Sequence, residues 1–446
     1  MGLCLAALLL GAGAAAATPI QTKEGVLPYG SDLNDQVLDQ PTERFNFESA
    51  GGKRSYLFNL GDMLFSSPAI FGGAARKAGI SCNTCHQQGA GNAKLYVPGL
   101  SSRPGTFDAT NALFNSKTDN GVLDAVTPPS LRGAKSLAPY GHDGRFGNLR
   151  DFVRHVIVGE FAGPEPSPQV LDALVTYVRE ISFLPNGKLA AGGRLTGKAS
   201  DAARRGEGLF NKPFRSNASM SCASCHQQTS AFVDHQVHDV GTGGLFKTPT
   251  LINADFNAPY FHDGRFDSYD QVVGYFDRHF DLGLSDKDKS DLVVYLDAVG
   301  DADMPYTANT VQLELDELNA FASVLDTAIP TRDKSVIVLA VDSVGQEWRE
   351  IGENFPARSD TSVHGGLTER LQARGSVRGL VLSLRRVAMA AARDDFAGAA
   401  DAYADYRQKV AQAAPKLNLA ERWSLFNPAV REAHFRALRQ LAALAQ

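Results

Sequence analysis

The sequence predicts a mainly α-helical protein in which two tandem copies of one domain precede a C-terminal helical bundle. One ordered series of motifs occurs twice along the chain, which indicates an internal duplication. Each copy closes on apolar residues at helical spacing, at residues 168–181 in the first and 285–299 in the second. From about residue 310 the motifs stop, and the composition turns to Ala, Leu and Arg with helical periodicity.

The amino end carries a short apolar run, residues 5–17, that closes on small residues. This pattern is typical of a secretory signal and its cleavage site, so we predict a signal peptide at residues 1–17. No Lys or Arg precedes the run, which indicates a truncated start or an atypical signal. Cys4 lies inside this segment and would be lost on export.

Length and charge exclude some classes of function. The chain has 446 residues, enough for two or three domains with cores of their own. Its net charge is −5, so the chain lacks the excess of basic residues that nucleic-acid-binding proteins usually have. Nothing after the signal is apolar for long enough to cross a membrane, so we expect no transmembrane span once the signal is removed.

Two Cys-x-x-Cys-His motifs, at residues 82–86 and 222–226, indicate the chemistry. Two thiols three positions apart can each add to a vinyl group of haem, and the adjacent His then presents its imidazole to the iron. The predicted attachment residues are Cys82, Cys85, Cys222 and Cys225. His86 and His226 are the predicted proximal ligands, so we expect two covalently bound haem c groups in two tandem cytochrome c-like domains.

Other uses of paired cysteines fit the sequence less well. Paired zinc motifs usually lie roughly 15 to 20 residues apart, whereas 137 positions separate Cys222 from Cys85. A redox dithiol needs a βαβ setting and does not explain the His that follows both pairs. Because all four cysteines of the exported chain are assigned to haem, none is left for a disulfide. Haem attachment together with export predicts the bacterial periplasm.

A second pair of segments follows the haem motifs. Thr-Pro segments at residues 127–131 and 248–251 lead to Ala-Pro-Tyr-x-His-Asp-Gly-Arg-Phe at residues 138–146 and 258–266. The first copy carries about twenty additional residues in a loop, residues 89–126, that is rich in Gly, Ser and Asn.

The region after residue 310 is predicted to form four or five helices. Residues 377–391 and 430–444 each carry an apolar stripe at helical spacing. The tryptophan and histidine residues of this region are Trp348, Trp423, His364 and His434. We expect them to pack or to lie at the surface, with electron transfer as the alternative.

The duplicated motifs resemble the bacterial di-haem cytochrome c peroxidase and MauG superfamily over about residues 45–305. The resemblance implies that the haem held by His86 reacts with peroxide and that the haem held by His226 relays electrons. Binding of peroxide needs an open sixth position on iron, whereas electron relay favours filled axial positions. The resemblance leaves open whether Ca²⁺ bridges the domains, as it does in relatives.

The chain then divides into four parts. Residues 1–17 form the signal peptide, and residues 40–185 form an N-terminal cytochrome c domain with the reactive haem. A linker within residues 185–200 leads to a C-terminal cytochrome c domain with the relay haem, residues 201–308. Residues 310–446 form a helical bundle of unknown role, which is not part of the family pattern.

The second repeat departs from the peroxidase pattern at its axial ligand. Peroxidases place Met between the Tyr and His of this segment, where the chain has Phe261. Phe cannot ligate iron, so Tyr260 is the candidate sixth ligand, as a Tyr is in the MauG branch. Alternatively, Tyr260 is a core aromatic with its hydroxyl on a haem propionate or the backbone. Met220 and Met304 are lesser candidates, since neither lies in the expected motif.

The first repeat departs as well. No His lies between its haem motif and Tyr140, so we expect the first haem to be permanently open. His142 occupies a position where peroxidases often have Trp, and it is either the distal acid/base or a hydrogen-bond partner of a propionate. The Trp that bridges the haems in known members has no counterpart before Trp348, so electrons would pass by Tyr, Phe or a propionate.

Charged residues accompany both segments. Arg145 and Arg265 each follow a Gly, and we expect their guanidinium groups to pair with haem propionates. Asp143 and Asp263 are expected to fix the turn, since Asp-Gly favours one.

The sequence does not settle the role of four further residues. His235 and His238 are expected to be loop residues, with ligation or contact of the relay haem as the alternative. Tyr96 and Glu160 can line the first pocket, but their position is not given by the sequence.

These features favour a periplasmic di-haem oxidoreductase that reacts with hydrogen peroxide. Its electrons would come from a small cytochrome or cupredoxin, as in a cytochrome c peroxidase, or from residues of a partner protein, as in a MauG-like enzyme. The missing Met ligand and the missing resting His favour the MauG-like branch. The alternatives are a di-haem electron-transfer cytochrome without its own substrate, and an interaction module docked by the helical tail.

Overall fold

The structure is a computed structural model that describes residues 26–33, 43–45, 54–303, 309–357 and 365–444. The predicted signal peptide, Met304 and His364 lie outside these ranges. The prediction of a mainly helical protein is confirmed for the described residues. Their two named strands, β1 (Val237–Asp239) and β2 (Leu245–Lys247), form one antiparallel pair.

The first repeat contains six short or medium helices. Their bounds are Tyr56–Ser66 (α1), Gly73–Lys77 (α2), Cys82–Cys85 (α3), Ala112–Asn115 (α4), Leu149–His155 (α5) and Pro168–Glu180 (α6). A π-helical turn, Val156–Glu160, extends α5. α6 begins as the sequence predicts, since the Ser167 hydroxyl accepts a hydrogen bond from the Val170 amide and Pro168 occupies the first turn.

The second repeat follows the same order. Its helices are Asp201–Asn211 (α7), Cys222–Cys225 (α8), Tyr269–His279 (α9) and Asp286–Gly300 (α10). At the start of α10, Ser285 and Asp288 form a capping box, in which each side chain accepts a hydrogen bond from the other residue's backbone amide.

Equivalent glycines allow the main helix pair of each repeat to approach closely. A Cβ atom on Gly61 of α1 would lie 2.1 Å from the carbonyl oxygen of Ala173 in α6. A Cβ atom on Gly206 of α7 would lie 2.1 Å from the carbonyl oxygen of Asp291 in α10. A side chain does not fit at either crossing, so these glycines are required for close packing rather than for chain flexibility.

The described residues after 310 form six further helices, where the sequence predicts four or five. They are Val311–Ala322 (α11), Leu325–Ala328 (α12), Lys334–Glu353 (α13), Leu367–Ala392 (α14), Phe396–Ala420 (α15) and Pro428–Leu444 (α16). Trp348 of α13 is fully buried, and its indole nitrogen donates a hydrogen bond to the Tyr406 hydroxyl of α15 at 2.8 Å. Among the described helices, none has both the length and the apolar character that a membrane span requires.

The C-terminal helices pack against the first repeat and share its apolar core. The Ser343 hydroxyl of α13 donates a buried hydrogen bond to the Ser67 hydroxyl, at 2.7 Å. Arg76 of α2, just before the first haem motif, lies 2.6 Å from Asp342. These contacts tie α13 to the segment that leads into the first motif.

Candidate haem sites

His86 lies at the end of the one-turn helix α3, directly after the two thiols of the first motif. Its Nδ1 atom is 3.0 Å from the carbonyl oxygen of Pro129, so Nδ1–H donates and Nε2 is left to bind iron. Burial lowers the pKa of His86 to about 4, which keeps the imidazole neutral, as a metal ligand must be.

His226 is held in the same way at the end of α8. Its Nδ1 atom is 3.2 Å from the carbonyl oxygen of Phe232. The ring also has a hydrogen bond with the backbone of Pro249. Burial lowers the pKa of His226. Pro129 and Pro249 occupy matching places in the two Thr-Pro segments, so one function of these segments is to orient the proximal imidazole.

The four cysteines of the motifs are free thiols in partly buried positions. Burial raises the pKa of Cys82 and Cys85 to about 12, and the pKa of Cys222 likewise. Each thiol pair is followed by an imidazole whose Nδ1 atom already has a backbone carbonyl as its hydrogen-bond partner. This donor set fits haem c, and it does not resemble a closed zinc site, which needs four ligands.

The two repeats contact each other through equivalent residues. The Thr127 amide donates to the carbonyl oxygen of His262, and the Lys247 amide donates to the carbonyl oxygen of His142, both at 2.8 Å. Thr127 and Lys247 each lie two positions before the Pro of Pro-x-Leu. The interface therefore has approximate two-fold symmetry, and the segments that orient the two proximal imidazoles meet within it.

His142 lies in this interface. Its Nε2 atom is 2.7 Å from the carbonyl oxygen of Thr127, two residues from the carbonyl that holds His86. Burial lowers the pKa of His142 to about 4. These contacts place the ring on the proximal side of the first motif and favour a hydrogen-bonding role, with a backbone carbonyl as partner. An acid/base role for His142 stays a prediction.

A buried carboxyl group lies on another side of the first motif. Glu160 closes the π-helical turn, 3.4 Å from the guanidinium of Arg145 and 3.8 Å from the imidazole of His155. Its side chain is 13% exposed, and burial raises its pKa even though Arg145 opposes this effect. Its charge contributes to the raised pKa of the Cys85 thiol, so the carboxyl group lies near the attachment site. π-helical turns occur frequently at functional sites.

Asp108 is a second buried carboxyl group, which the sequence analysis missed. It is 2% exposed, and its Oδ1 accepts hydrogen bonds from the amide and hydroxyl of Thr110 at 3.0 and 2.8 Å. Its Oδ2 has no hydrogen-bond partner within the described ranges. Burial raises the pKa of Asp108, and its charge in turn raises the pKa of Glu160. The only signal in the sequence is the Asp-x-Thr pattern in the long first-repeat loop.

The arginines predicted to hold propionates pair with nearby acids in the described structure. Arg145 lies 3.2 Å from Asp143, and Arg265 lies 2.6 Å from Asp263. The two aspartates are therefore partners of the arginines as well as residues of the turn. Contact of either arginine with a propionate stays a prediction.

The two repeats differ in one pocket. Gly141 of the first repeat has a φ of +83°, and its counterpart Phe261 has a φ of +71°. The Phe261 ring contacts Phe266, Tyr275 and Phe276, with ring centroids 4.9, 5.3 and 5.5 Å away. The first repeat thus has no side chain at the turn where the second places a ring, although its Phe146 also contacts two rings, Phe152 and His155.

Tyr260, the candidate sixth ligand, has another partner. Its ring stacks on Tyr269 with centroids 4.8 Å apart, and the two hydroxyls share a hydrogen bond. Tyr269 in turn donates to Asp255 at 2.7 Å. Burial raises the pKa of Tyr260 to about 12, which disfavours the phenolate. These contacts agree with the core-aromatic alternative, and ligation by Tyr260 stays a prediction.

Both loop histidines are engaged by protein groups. The Nδ1 atom of His235 lies 2.7 Å from the carbonyl oxygen of Ala138, and the Nε2 atom of His238 lies 2.6 Å from Asp234. His238, Asp234 and the Cys225 thiol lie within 4.8 Å of one another. Because Cys225 belongs to the attachment motif, we interpret Asp234 and His238 as neighbours of the second haem.

The mainly helical fold and the two thiol–imidazole sites are those expected of a protein of the c-type haem class. Residues 201–308 match the sequence model of the family described as di-haem cytochrome c peroxidase. This match and two distantly similar proteins support the di-haem cytochrome c peroxidase and MauG superfamily, which the repeated motifs predict. This similarity supports haem c as the cofactor and a haem-dependent oxidoreductase as the class of protein.

Two characterised relatives align over much of the chain. The gamma subunit of hydrazine synthase from Kuenenia stuttgartiensis is 27% identical over 341 residues, which cover 63% of this chain and 87% of the subunit. The methylamine utilization protein MauG from Methylorubrum extorquens is 25% identical over 301 residues, which cover 54% of this chain and 77% of MauG.

Two solved structures are similar to the chain. K. stuttgartiensis hydrazine synthase, pressurised with 20 bar xenon, aligns with a TM-score of 0.41 and 21% identity, over 67% of this chain and 99% of that chain. A MauG-like protein associated with microbial copper homeostasis aligns with a TM-score of 0.32 and 16% identity, over 59% of this chain and 94% of that chain.

Proposed function

We propose that the protein is a periplasmic di-haem c-type oxidoreductase in which hydrogen peroxide reacts at the first repeat and the second repeat relays oxidising equivalents. One haem c is attached in each of two cytochrome c domains, residues 40–185 and 201–308, and the helical bundle follows at 310–446. The observation that carries the proposal is a group of polar side chains, which we call the Glu160 pocket: the buried Glu160 carboxyl lies 3.4 Å from Arg145, and its charge acts on the Cys85 thiol of the first attachment motif. The residue at the matching position of the second repeat is Phe280.

The residues of this pocket suit peroxide cleavage. When bound, haem iron supplies the centre at which peroxide is reduced. Cleavage of the O–O bond requires a proton to move from one oxygen to the other, so that the second oxygen leaves as water. Glu160 is placed to accept and return this proton, and the Arg145 guanidinium stabilises negative charge on the departing oxygen. Two electrons and two protons then convert one peroxide into two waters.

Asp108 supports the proton transfer. Its unpartnered Oδ2 gives the pocket a second proton-holding group. Burial raises the pKa of both carboxyls; the charge of Asp108 further disfavours ionisation of Glu160, and Asp124 acts in the same way on Asp108. Gly141 has no side chain to fill the adjacent space.

The electrons for this reaction come, in our proposal, from residues of a partner protein, as in a MauG-like enzyme. Phe261 in place of the Met of peroxidases supports this branch, because the second iron lacks the thioether that raises its potential. Steady oxidation of a small reduced cytochrome or cupredoxin would instead indicate a cytochrome c peroxidase. A di-haem carrier without its own substrate has no use for a buried carboxyl near an attachment thiol.

The test compares two glutamate variants in the haem-loaded protein. Glu160→Gln removes the proton acceptor and should slow the spectral change on mixing with peroxide by about 10²- to 10⁴-fold. Glu165→Gln is the matched control, since Glu165 is exposed and pairs with Arg154 at 2.5 Å. Equal rates in Glu160→Gln and the wild type would contradict the proposed site.

A further inference from the structure

Helix α14 carries apolar residues on two faces. The residues of its inner face are buried in the protein core, namely Val377, Leu380, Leu384 and Val387. On its outer face, Leu371, Leu382 and Met389 are 48%, 60% and 53% exposed. A surface helix of a globular protein normally has one apolar stripe, which faces the core, so the outer residues require a separate explanation.

The exposed side chains of α14 lie on one line along the helix. Eleven positions separate Leu371 from Leu382 and seven separate Leu382 from Met389, which are about three and two turns of an α-helix. Arg378, seven positions after Leu371, and Arg385, four positions before Met389, lie within the same line. We call these five residues the outer stripe. It is about 27 Å long, and such an alignment is not expected of scattered surface residues.

The outer stripe carries positive charge. Arg378 and Arg385 are exposed, and within the described ranges no ion pair or hydrogen bond engages either of them. By contrast, the neighbouring Arg386 pairs with Asp405 of α15. Residues 370–392 contain five arginines and no Asp or Glu. The helix itself therefore supplies no carboxylate to neutralise this charge.

A groove of about 250 Å³ continues the surface from α14 onto α13. Its apolar lining residues are Val338, Val341, Val381 and Ala388. Arg349 and Arg385 also line it, and its one acidic lining residue, Asp342, is already paired with Arg76 at 2.6 Å. An apolar surface accompanied by guanidinium groups thus extends over two helices.

This pattern fits a protein helix better than a bilayer or a second copy of α14. An interfacial membrane helix separates its basic face from its apolar face, whereas Arg378 and Arg385 alternate with apolar residues along one stripe. Packing of α14 on itself would join two arginine-rich surfaces without a carboxylate between them. An apolar seam accompanied by like charges is complementary to a helix with an apolar seam and the opposite charges.

We propose that the outer stripe and the adjoining groove bind an amphipathic helix of a partner protein, in which carboxylates flank an apolar seam. The apolar residues of this helix pack on Leu371, Leu382 and Met389, and its carboxylates pair with Arg378 and Arg385. A helix of about five turns matches the length of the stripe. The inference does not depend on the peroxide chemistry proposed for the first repeat.

The test measures binding of synthetic helical peptides to the haem-loaded protein by fluorescence anisotropy at low salt. The acidic peptide has about three heptads with Leu at a and d and Glu at e and g, and the basic peptide has Lys in place of Glu. The wild type should bind the acidic peptide and discriminate against the basic one. Combined Arg378→Glu and Arg385→Glu changes should weaken binding of the acidic peptide by at least about tenfold and should reverse the preference.

Leu382→Ser should also weaken binding of the acidic peptide. The matched control combines Lys416→Glu with Leu419→Ser, since both residues are exposed on α15, and it should bind as the wild type does. On binding, protection from hydrogen exchange should be concentrated in residues 371–389.

Three results would overturn the inference. The first is that the wild type binds both peptides equally or does not bind the acidic peptide. The second is that it binds phosphatidylglycerol vesicles in preference to the acidic peptide, which would assign the stripe to a membrane surface. The third is a dimer of the chain that Leu382→Ser dissociates, which would assign the stripe to a second copy.

Discussion

The Nδ1 atom of His86 lies 3.0 Å from the carbonyl oxygen of Pro129, 43 residues further along the chain. The carbonyls of Phe232 and Pro249 hold His226 in the same way. Each proximal imidazole is therefore fixed in the tautomer that presents Nε2 to iron. This contact explains in physical terms why a Thr-Pro segment accompanies each haem motif.

Loss of one attachment thiol pair should remove one haem. Cys82→Ala or Cys222→Ala lowers the covalent haem content from two to one per chain, because each thioether pair serves one porphyrin. Mass spectrometry of the intact protein measures this directly. Ser219→Ala, at an exposed residue just before the second motif, should retain both haems. Two covalent haems in either Cys variant would show that the attachment assignment is wrong.

Tyr260→Phe separates the two interpretations of this residue. If its hydroxyl only shares a hydrogen bond with Tyr269, the variant leaves the spin state of the second haem unchanged and lowers the free energy of unfolding by about 1 kcal/mol. If the phenolate ligates iron, the variant turns that haem high-spin and raises its potential, because an anionic oxygen stabilises Fe(III).

Much of the architecture follows from the sequence. The repeated motifs predict the duplication, and helical spacing predicts α6 and α10 to within a residue or two, because a Ser caps each helix at its first turn. The proximal histidines follow from the motif alone. These features are local, so a short stretch of sequence determines each of them.

The geometry of the pockets does not follow from local sequence. Glu160 becomes a pocket residue only because a π-helical turn brings it towards Arg145. His142 lies in the interface between the repeats, where its ring forms a hydrogen bond with the Thr127 carbonyl. This contact depends on how the two repeats pack together. Packing of α13 against the first repeat depends likewise on long-range contacts that periodicity cannot reveal.

Two glycines on one helix should respond to alanine in opposite directions. Gly206→Ala places a Cβ 2.1 Å from the Asp291 carbonyl oxygen and should destabilise the protein by about 1–3 kcal/mol or more. Gly208→Ala meets nothing within 4 Å and should stabilise the helix by up to about 1 kcal/mol. Denaturant unfolding of the haem-loaded protein measures both. Similar effects of the two changes would refute the close crossing of α7 and α10.

The peroxide reaction should depend on pH through Glu160. Burial raises the pKa of this carboxyl group, and only the ionised form accepts a proton. The rate should therefore increase with pH, with a midpoint above about 4.3, the ordinary value for glutamate. In Glu160→Gln this rise should vanish. A pH profile that is identical in the wild type and the variant would assign the titration to another group.

The most direct test of the central claim is the reaction of His86→Gly with hydrogen peroxide, followed by rapid-scan absorbance. Our account assigns peroxide chemistry to the first repeat, so this variant should lose the fast spectral change of the wild type while its second haem remains reducible. A change at the wild-type rate in His86→Gly would contradict the account and place the peroxide reaction at the second repeat.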